Sequence, residues 1–136
     1  MKLTNLQKKF SDILRKKKKE IIFLLVIAAA MFLYHKVLWG DLRNNGIILV
    51  GIVKSSSFHA KSSDTDFQCT FDYKGKKYES ECSADVTSSS IFIGKTFPVI
   101  LSEVTNNSKM LITPDHFKSV NIPFPDSLKW VLQYVR

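Results

Sequence analysis

The sequence lacks the patterns of the common catalytic and metal sites. It has two cysteines and three histidines in 136 residues, and no histidine stands at a zinc-ligand spacing from either cysteine. No serine lies in a G-x-S-x-G motif. The Gly-Lys-Thr at 94–96 is not a phosphate-binding loop, because Ser89 replaces the first glycine that the motif needs. We therefore predict no enzymatic activity, no cofactor, no metal and no small-molecule substrate.

The three histidines also give no indication of a catalytic site. His35, His59 and His116 are each separated by more than twenty residues, and none has a nucleophile or carboxylate at a familiar catalytic spacing. We expect His59 to be a solvated loop residue.

The positive charge is concentrated at one end. The formal net charge is +8, of which residues 1–20 contribute +6 with eight basic and two acidic side chains. Residues 46–136 carry ten basic and nine acidic side chains, a net of +1. A nucleic-acid-binding domain carries its charge on the folded surface, so we predict that nucleic acid is not a partner.

An apolar segment follows the basic cluster directly. Residues 21–34 are uncharged, and residues 35–39 extend the segment to a helix of about 28 Å, close to the bilayer thickness of about 30 Å. We predict a transmembrane helix over residues 21–39 that contacts membrane lipid. The side chains expected at its two interfaces are Lys16, Lys17, Lys18, Lys19, Tyr34, Lys36 and Trp39.

The flanking charges predict the orientation of this anchor. A cleaved signal peptide is disfavoured, because the small residues 28–30 precede bulky apolar residues rather than a polar start. Basic residues are abundant before the span and few after it, which places residues 1–20 in the cytoplasm. We expect a single-pass protein of the inner or plasma membrane, with residues 40–46 as a linker and residues 47–136 as an extracytoplasmic domain.

The outer part has the pattern of a small β domain. The β-branched run at 47–54 predicts a buried strand, in which Gly51 indicates a bulge or bend. Alternating residues over 67–82 predict a hairpin, and shorter strands follow at 96–102 and 110–112. Pro98 favours an edge position for the strand at 96–102.

Both cysteines lie in the hairpin. A turn at residues 74–75 pairs Cys69 with Ser80, whereas a turn at residues 75–76 pairs Cys69 directly with Cys82. In either register both cysteines point to the apolar face. Because close thiols outside the cytoplasm tend to oxidise, we predict a Cys69–Cys82 disulfide, with two free buried thiols as the alternative.

The last third changes from strands to helices. Thr113 and Pro114 predict a short helix, and Asp126 precedes a second helix. The apolar stripe of this second helix consists of Leu128, Val131, Leu132 and Val135. Trp130 and Tyr134, on a neighbouring face, either contact a partner or pack in the core.

These elements define the fold class. We predict an α+β chain, with one N-terminal transmembrane helix followed by a small, mostly antiparallel β domain and a C-terminal helix. The domain has about five strands in a barrel-like or sandwich-like arrangement.

Three short motifs resemble those of small bacterial membrane-anchored proteins with an extracytoplasmic β domain of unknown function. They are Gly51-Ile52-Val53, the hairpin from Phe71 to Tyr78, and the segment from Gly94-Lys95 to Val99. The resemblance implies an envelope location and no known activity.

Two functions fit these expectations. The first is an accessory or structural subunit of an envelope assembly, which acts by contact with another membrane or envelope protein. The alternative is an extracytoplasmic binding module, such as an immunity-type inhibitor. A flat apolar patch would favour the subunit, and an acidic face or deep groove would favour the inhibitor.

Overall fold

The computed structural model describes residues 2–136, with side chains from residue 17 onward. Helix α1 spans Lys2–Asn45 and helix α2 spans Pro114–Ser119. The strands are β1 Gly46–Phe58, β2 Thr65–Tyr73, β3 Lys76–Ala84, β4 Thr96–Ser102 and β5 Ser108–Met110. Two 3-10 helices, Ser89–Phe92 and Asp126–Gln133, complete the chain. The predicted α+β class is confirmed. The chain divides into two compact units, Met1–Val37 and Leu38–Arg136.

The first unit contains most of a helix that is long and apolar enough to cross a membrane. Within this stretch, Lys17–Asn45, the most apolar window of 18 residues has a mean hydropathy of 2.3. The apolar side chains from Ile21 to Val37 are exposed around the helix, as they are in a segment solvated by lipid. Lys17, Lys18, Lys19, Tyr34 and Lys36 are exposed as well. The side chain of Lys16 lies outside the described residues.

The predicted linker at 40–46 is not a linker. Helix α1 continues to Asn45, and β1 begins at the next residue. The side chain of Leu42 is 2% exposed and belongs to the core of the second unit. The amide of Asn45 donates to Asp41 Oδ1 at 2.8 Å, one helical turn back. Polar residues that are typical of a turn are therefore satisfied inside a helix, which the burial of Leu42 holds in place.

The sheet is a nearly closed five-stranded barrel. Its order is β3-β2-β1-β4-β5, every neighbouring pair is antiparallel, and the two outer strands approach each other. The bulge in β1 lies between Val53 and Ser55 rather than at Gly51. Gly51 serves close packing instead: a Cβ there would lie 2.7 Å from Val99 Cγ2. The largest fully buried side chains include Phe67, Phe92, Phe97, Phe117, Ile100, Met110 and Leu111.

The hairpin turn selects one of the two predicted registers. Lys74 and Gly75 have φ values of 49° and 72°, as a two-residue type I′ turn requires. Cys69 therefore pairs with Ser80, and Phe67 pairs with Cys82. The two cysteines occupy a diagonal, where Cβ atoms are about 7–8 Å apart, beyond the usual Cβ separation of a disulfide. The prediction of a Cys69–Cys82 disulfide is wrong: both residues are free and buried.

The final helix differs in type from the expected one. Asp126–Gln133 is a 3-10 helix, with about three residues per turn. Leu128 and Val131, three residues apart, are consequently buried together, whereas Leu132 is 47% exposed. Val135 lies beyond the end of this helix and is partly buried against the core, so Leu132 is the one residue of the predicted stripe that is exposed.

Candidate functional site

Strand β1 presents a row of aliphatic side chains on the outer face of the sheet. Ile48, Val50 and Ile52 are 55%, 67% and 43% exposed, and we call them the β1 row. Gly51 and Val53, which alternate with them, are buried on the inner face. The strand is thus apolar on both faces, although its outer face is uncovered along this row. Exposed apolar patches of this kind are typical of interaction surfaces.

The same outer face is covered where it continues onto β4. Ile48 pairs with Ile100 across the β1–β4 ladder, so their side chains share a face, but Ile100 is only 2% exposed. Ile100 lies against the junction of α1 and β1. A Cβ on Gly46 would meet both Leu42 O, at 2.2 Å, and Ile100 Cγ1, at 2.4 Å. The last turn of α1 therefore covers this part of the outer face.

Polar contacts hold the end of α1 on β4 and on the turn that follows it. The carboxylate of Asp41 accepts hydrogen bonds from the hydroxyl of Ser102 and from Thr105 Oγ1, the latter at 2.8 Å. Ser102 lies at the end of β4 and is fully buried. The contacts cross more than sixty residues of sequence, so they tie the helix end to the sheet by tertiary structure.

One of the predicted membrane-interface residues takes part in this contact. Lys109 Nζ lies 4.0 Å from the ring centroid of Trp39, a cation–π distance. Lys109 pairs with Ile100 and therefore belongs to the same outer face. Burial lowers the pKa of Lys109. Trp39 is only partly exposed and packs against the core of the second unit.

A polar rim borders the β1 row. Thr70 of β2 and Thr96 of β4 pair with Ile52 from either side. Lys54 and Lys95 are exposed at the far end of the row, where Val53 N donates to Lys95 O at 3.0 Å. Within residues 17–136 no ion pair includes either lysine. An apolar centre with a polar and charged rim is the usual composition of a protein interface.

A cavity of about 410 Å³ continues the surface beyond Thr96. It is lined by Ile91, Lys95, Thr96, Ser127, Leu128 and Trp130. The rings of Phe92 and Phe97 lie 5.5 and 6.0 Å from Trp130, and Tyr134 lies 6.2 Å from it. Trp130 and Tyr134, predicted as partner contacts or core residues, are both partly buried in this aromatic cluster. Only Trp130 of the two also lines the cavity.

The structure brings together three polar residues that the sequence did not connect. Asp66 Oδ2 lies in contact with His59 Nε2, and Ser83 Oγ donates to Asp66 Oδ1 at 2.5 Å. These hydrogen bonds, that of Ser83 first, lower the pKa of Asp66. The carboxylate stands between the hydroxyl and the imidazole, whereas nucleophilic catalysis requires the imidazole to contact the hydroxyl. The arrangement links the residue after β1 to β2 and β3 and does not activate Ser83.

His116 has a structural role in the capping of α2. Its Nδ1 accepts hydrogen bonds from the backbone N–H groups of Ile112 and Thr113, and its Nε2 lies 3.1 Å from Ser83 O. Burial, with Lys109 as a secondary cause, lowers the pKa of His116 to about 4. The neutral imidazole therefore completes the capping box that begins at Thr113.

The remaining reactive groups are protected inside the barrel. Burial raises the pKa of the Cys69 thiol to about 11 and that of Cys82 to about 12. A thiol with so high a pKa carries almost no thiolate at neutral pH. Within the part of the chain that the structure describes, no group of three or more His, Cys, Asp or Glu residues is placed to hold a metal ion.

The β1 row was the feature that sequence reasoning missed. The run Ile47-Ile48-Leu49-Val50 is apolar without alternation, and it predicts a buried strand. In an antiparallel sheet the same pattern equally signals an uncovered apolar face.

Comparison of the chain with known protein families, curated proteins and solved structures finds no match.

Proposed function

We propose that this protein is a membrane-anchored accessory or structural subunit of an envelope assembly, and that it acts by protein–protein contact. The observation that carries the proposal is the β1 row, in which Ile48, Val50 and Ile52 remain exposed in the middle of a folded sheet. Exposing three large aliphatic side chains side by side is unfavourable in water, by about 25 cal/mol per Å². A partner that covers the row recovers that free energy.

The attachment of the β domain to α1 supports a role in assembly. Leu42 in the core and Asp41 on the sheet join the domain to the end of the helix without a flexible segment. These contacts hold residues 38–45 of the helix on the sheet before any partner binds, which reduces the entropy lost on binding. A domain that captures distant ligands gains more from a long linker.

The proposal includes a topology, with residues 1–20 in the cytoplasm and the β domain outside. It can be tested with a Ser57→Cys variant and a membrane-impermeant maleimide, because Ser57 is exposed and the native thiols are buried. Intact cells that express the variant should be labelled. Labelling only after permeabilisation would show that the β domain lies in the cytoplasm and would contradict the proposed topology.

The subunit role is tested by purification of the full-length protein from its native membrane in mild detergent. We expect another membrane or envelope protein to accompany it in a constant ratio. The Val50→Asp variant should lose that protein, whereas Val104→Asp should keep it, because Val104 is 78% exposed in the turn after β4 and lies outside the row. A solitary wild-type protein would contradict the proposal.

A second candidate, the extracytoplasmic binding module, is favoured by one cavity. It has a volume of about 270 Å³ and is lined by Gln68, Glu79, Ser80, Glu81, Asn106, Asn107 and Ser108. The hydroxyl of Ser80 is buried and has no hydrogen-bond partner within the described residues. Carboxylates and a free hydroxyl suit a basic side chain of a target protein. If Glu79→Gln with Glu81→Gln abolished association while Val50→Asp did not, the binding module would replace the subunit.

A further inference from the structure

We infer that the β1 row binds the end of a membrane-spanning helix that belongs to another protein, side by side with residues 39–46 of this chain. This inference rests on the proposed subunit function and specifies the kind of partner. The outer face of the sheet is divided into a part that is covered by the end of α1 and a part that is uncovered.

The covered part shows what kind of element this face accepts. Ile100 and Ser102 on β4 and Lys109 on β5 lie under residues 39–46, at the end of α1. The contact combines an aliphatic side chain, a carboxylate that accepts from hydroxyl groups, and an aromatic ring beside a lysine. The outer face is therefore already a helix-binding surface within this chain.

The spacing places a second helix on the β1 row. Helices packed side by side have axes about 8–10 Å apart, and neighbouring strands are about 4.8 Å apart. One helix width thus corresponds to about two strands. Counting two strands from β4 and β5 leads to β1 and β2, where Ile48, Val50 and Ile52 are exposed.

The chemistry of the row resembles that of the covered part. Ile48 continues the cross-strand line of Ile100, so both present the same β-branched surface. Thr70 and Thr96 pair with Ile52 and place hydroxyl groups beside the row, and Ser102 and Thr105 supply the hydroxyl groups that bind Asp41 in the covered part. An aliphatic helix face with residues spaced three and four apart fits such a row.

The charges at the far end specify the partner further. Lys54 and Lys95 are exposed next to Ile52, and no ion pair described for the chain includes them. A partner helix that places Asp or Glu at this point gains two charge-assisted contacts. We therefore assign to the partner an aliphatic face and an acidic residue in the turns that follow its transmembrane segment.

The experiment places a photo-reactive amino acid, p-benzoylphenylalanine, at position 50 of the full-length chain in its native membrane. Position 104 carries the same group as a matched control, because Val104 is also an exposed valine. Mass spectrometry of the cross-linked peptide then identifies what lies on the row. Position 50 should cross-link to a peptide just outside a transmembrane segment of another protein, with aliphatic residues at helical spacing and an acidic residue. Position 104 should not cross-link to it.

Other occupants would overturn the inference. They are lipid, a second copy of this chain, a soluble protein, or a peptide without helical aliphatic spacing; the absence of any cross-link would overturn it too. If a protein co-purifies in constant ratio but position 50 does not cross-link to it, the subunit function stands and this inference fails. If nothing co-purifies and nothing cross-links, both fail.

A second measurement separates binding from folding. Val50→Asp should reduce the cross-link from position 52 at least about tenfold, because an unpaired carboxylate would be buried in the contact. Its thermal unfolding should match that of Val104→Asp, since both side chains are exposed. An undiminished cross-link from position 52 in the Val50→Asp chain would contradict the inference.

Discussion

Replacement of Leu42 by alanine tests whether the end of α1 is part of the β domain. Leu42 lies in the segment whose composition is typical of a linker, yet its side chain is 2% exposed and contributes to the hydrophobic core of the second unit. If the segment were a linker, this substitution would have almost no effect. Because Leu42 is buried, the substitution instead leaves a cavity in the core.

The expected magnitude follows from this burial. Buried Leu→Ala substitutions reduce the free energy of unfolding by about 2–5 kcal/mol, through lost transfer free energy and the cavity that remains. For a fully buried side chain we expect about 3 kcal/mol. In a domain of this size each kcal/mol lowers the melting temperature by about 4–8 °C, so Leu42→Ala should melt about 12–24 °C below the wild type.

Intrinsic fluorescence provides the assay. The two tryptophans, Trp39 and Trp130, both pack against the core of the second unit, so their emission reports unfolding of this unit in detergent. Leu42→Met is the conservative control and should cost less than about 1.5 kcal/mol. Leu24→Ala is the positional control, because Leu24 is 64% exposed on the membrane helix. A Leu42→Ala protein within about 0.5 kcal/mol of the wild type would refute the assignment of the helix end to the core.

Three further predictions concern the barrel itself. Gly51→Ala should lower the free energy of unfolding by about 1–3 kcal/mol through overpacking. Gly40→Ala, with open space around its Cβ, should instead raise it by about 0.5–1 kcal/mol. Equal effects of the two substitutions in denaturant titrations would contradict the packing around Gly51. The pKa of His116 is about 4 in the folded protein and about 6.5 when unfolded. The unfolded chain therefore binds the proton more readily, so the free energy of unfolding should be highest above pH 6.5 and fall by up to about 3 kcal/mol towards pH 4. His116→Gln should remove this pH dependence of stability. An unchanged pH dependence in the variant would exclude His116 as its source. Cys69 and Cys82 should resist iodoacetamide at pH 7.5 and react only on unfolding, and a mass shift in the native protein would contradict their burial.

The sequence predicted most of the strands, because alternation and turn residues are local signals. The hairpin was expected over residues 67–82, and the strands cover Thr65–Tyr73 and Lys76–Ala84. The sequence allows two registers for this hairpin, one with Cys69 opposite Ser80 and one with Cys69 opposite Cys82. The choice between them depends on the backbone conformation of Lys74 and Gly75, which the sequence alone leaves open.

The errors arose where tertiary contacts override local preference. Asp41-Leu42-Arg43-Asn44-Asn45 has turn-forming residues, but the burial of one leucine and the hydrogen bonds of one carboxylate keep the segment helical. No pattern within six residues contains that information, because the partners of Asp41 are more than sixty residues away.

Pro98 shows how a sound rule can lead to a wrong position. A proline in a strand favours an edge, yet β4 lies between β1 and β5. The carbonyl of Pro98 accepts from Leu111 N, just past the end of the three-residue β5. The nitrogen of Pro98 faces the same side, so its missing N–H removes only the return hydrogen bond to Leu111, at the point where the β4–β5 ladder ends.

The surface proposed to bind a partner was beyond sequence reasoning for a similar reason. Ile48, Val50 and Ile52 could be assigned to a strand, but whether their face is covered depends on where the end of α1 lies. That helix covers Ile100 and leaves the β1 row open. Periodicity predicts which side chains share a face, and only the fold decides what covers it.

The most direct test of the central claim is the amount of partner that co-purifies with full-length wild-type, Val50→Asp and Val104→Asp proteins from the native membrane. We expect a protein in constant ratio with the wild type and with Val104→Asp. We expect Val50→Asp to lose that protein, although the three proteins unfold at similar temperatures. Retention of the partner by Val50→Asp, or a wild-type protein that purifies alone, would contradict the claim that the β1 row is a binding surface.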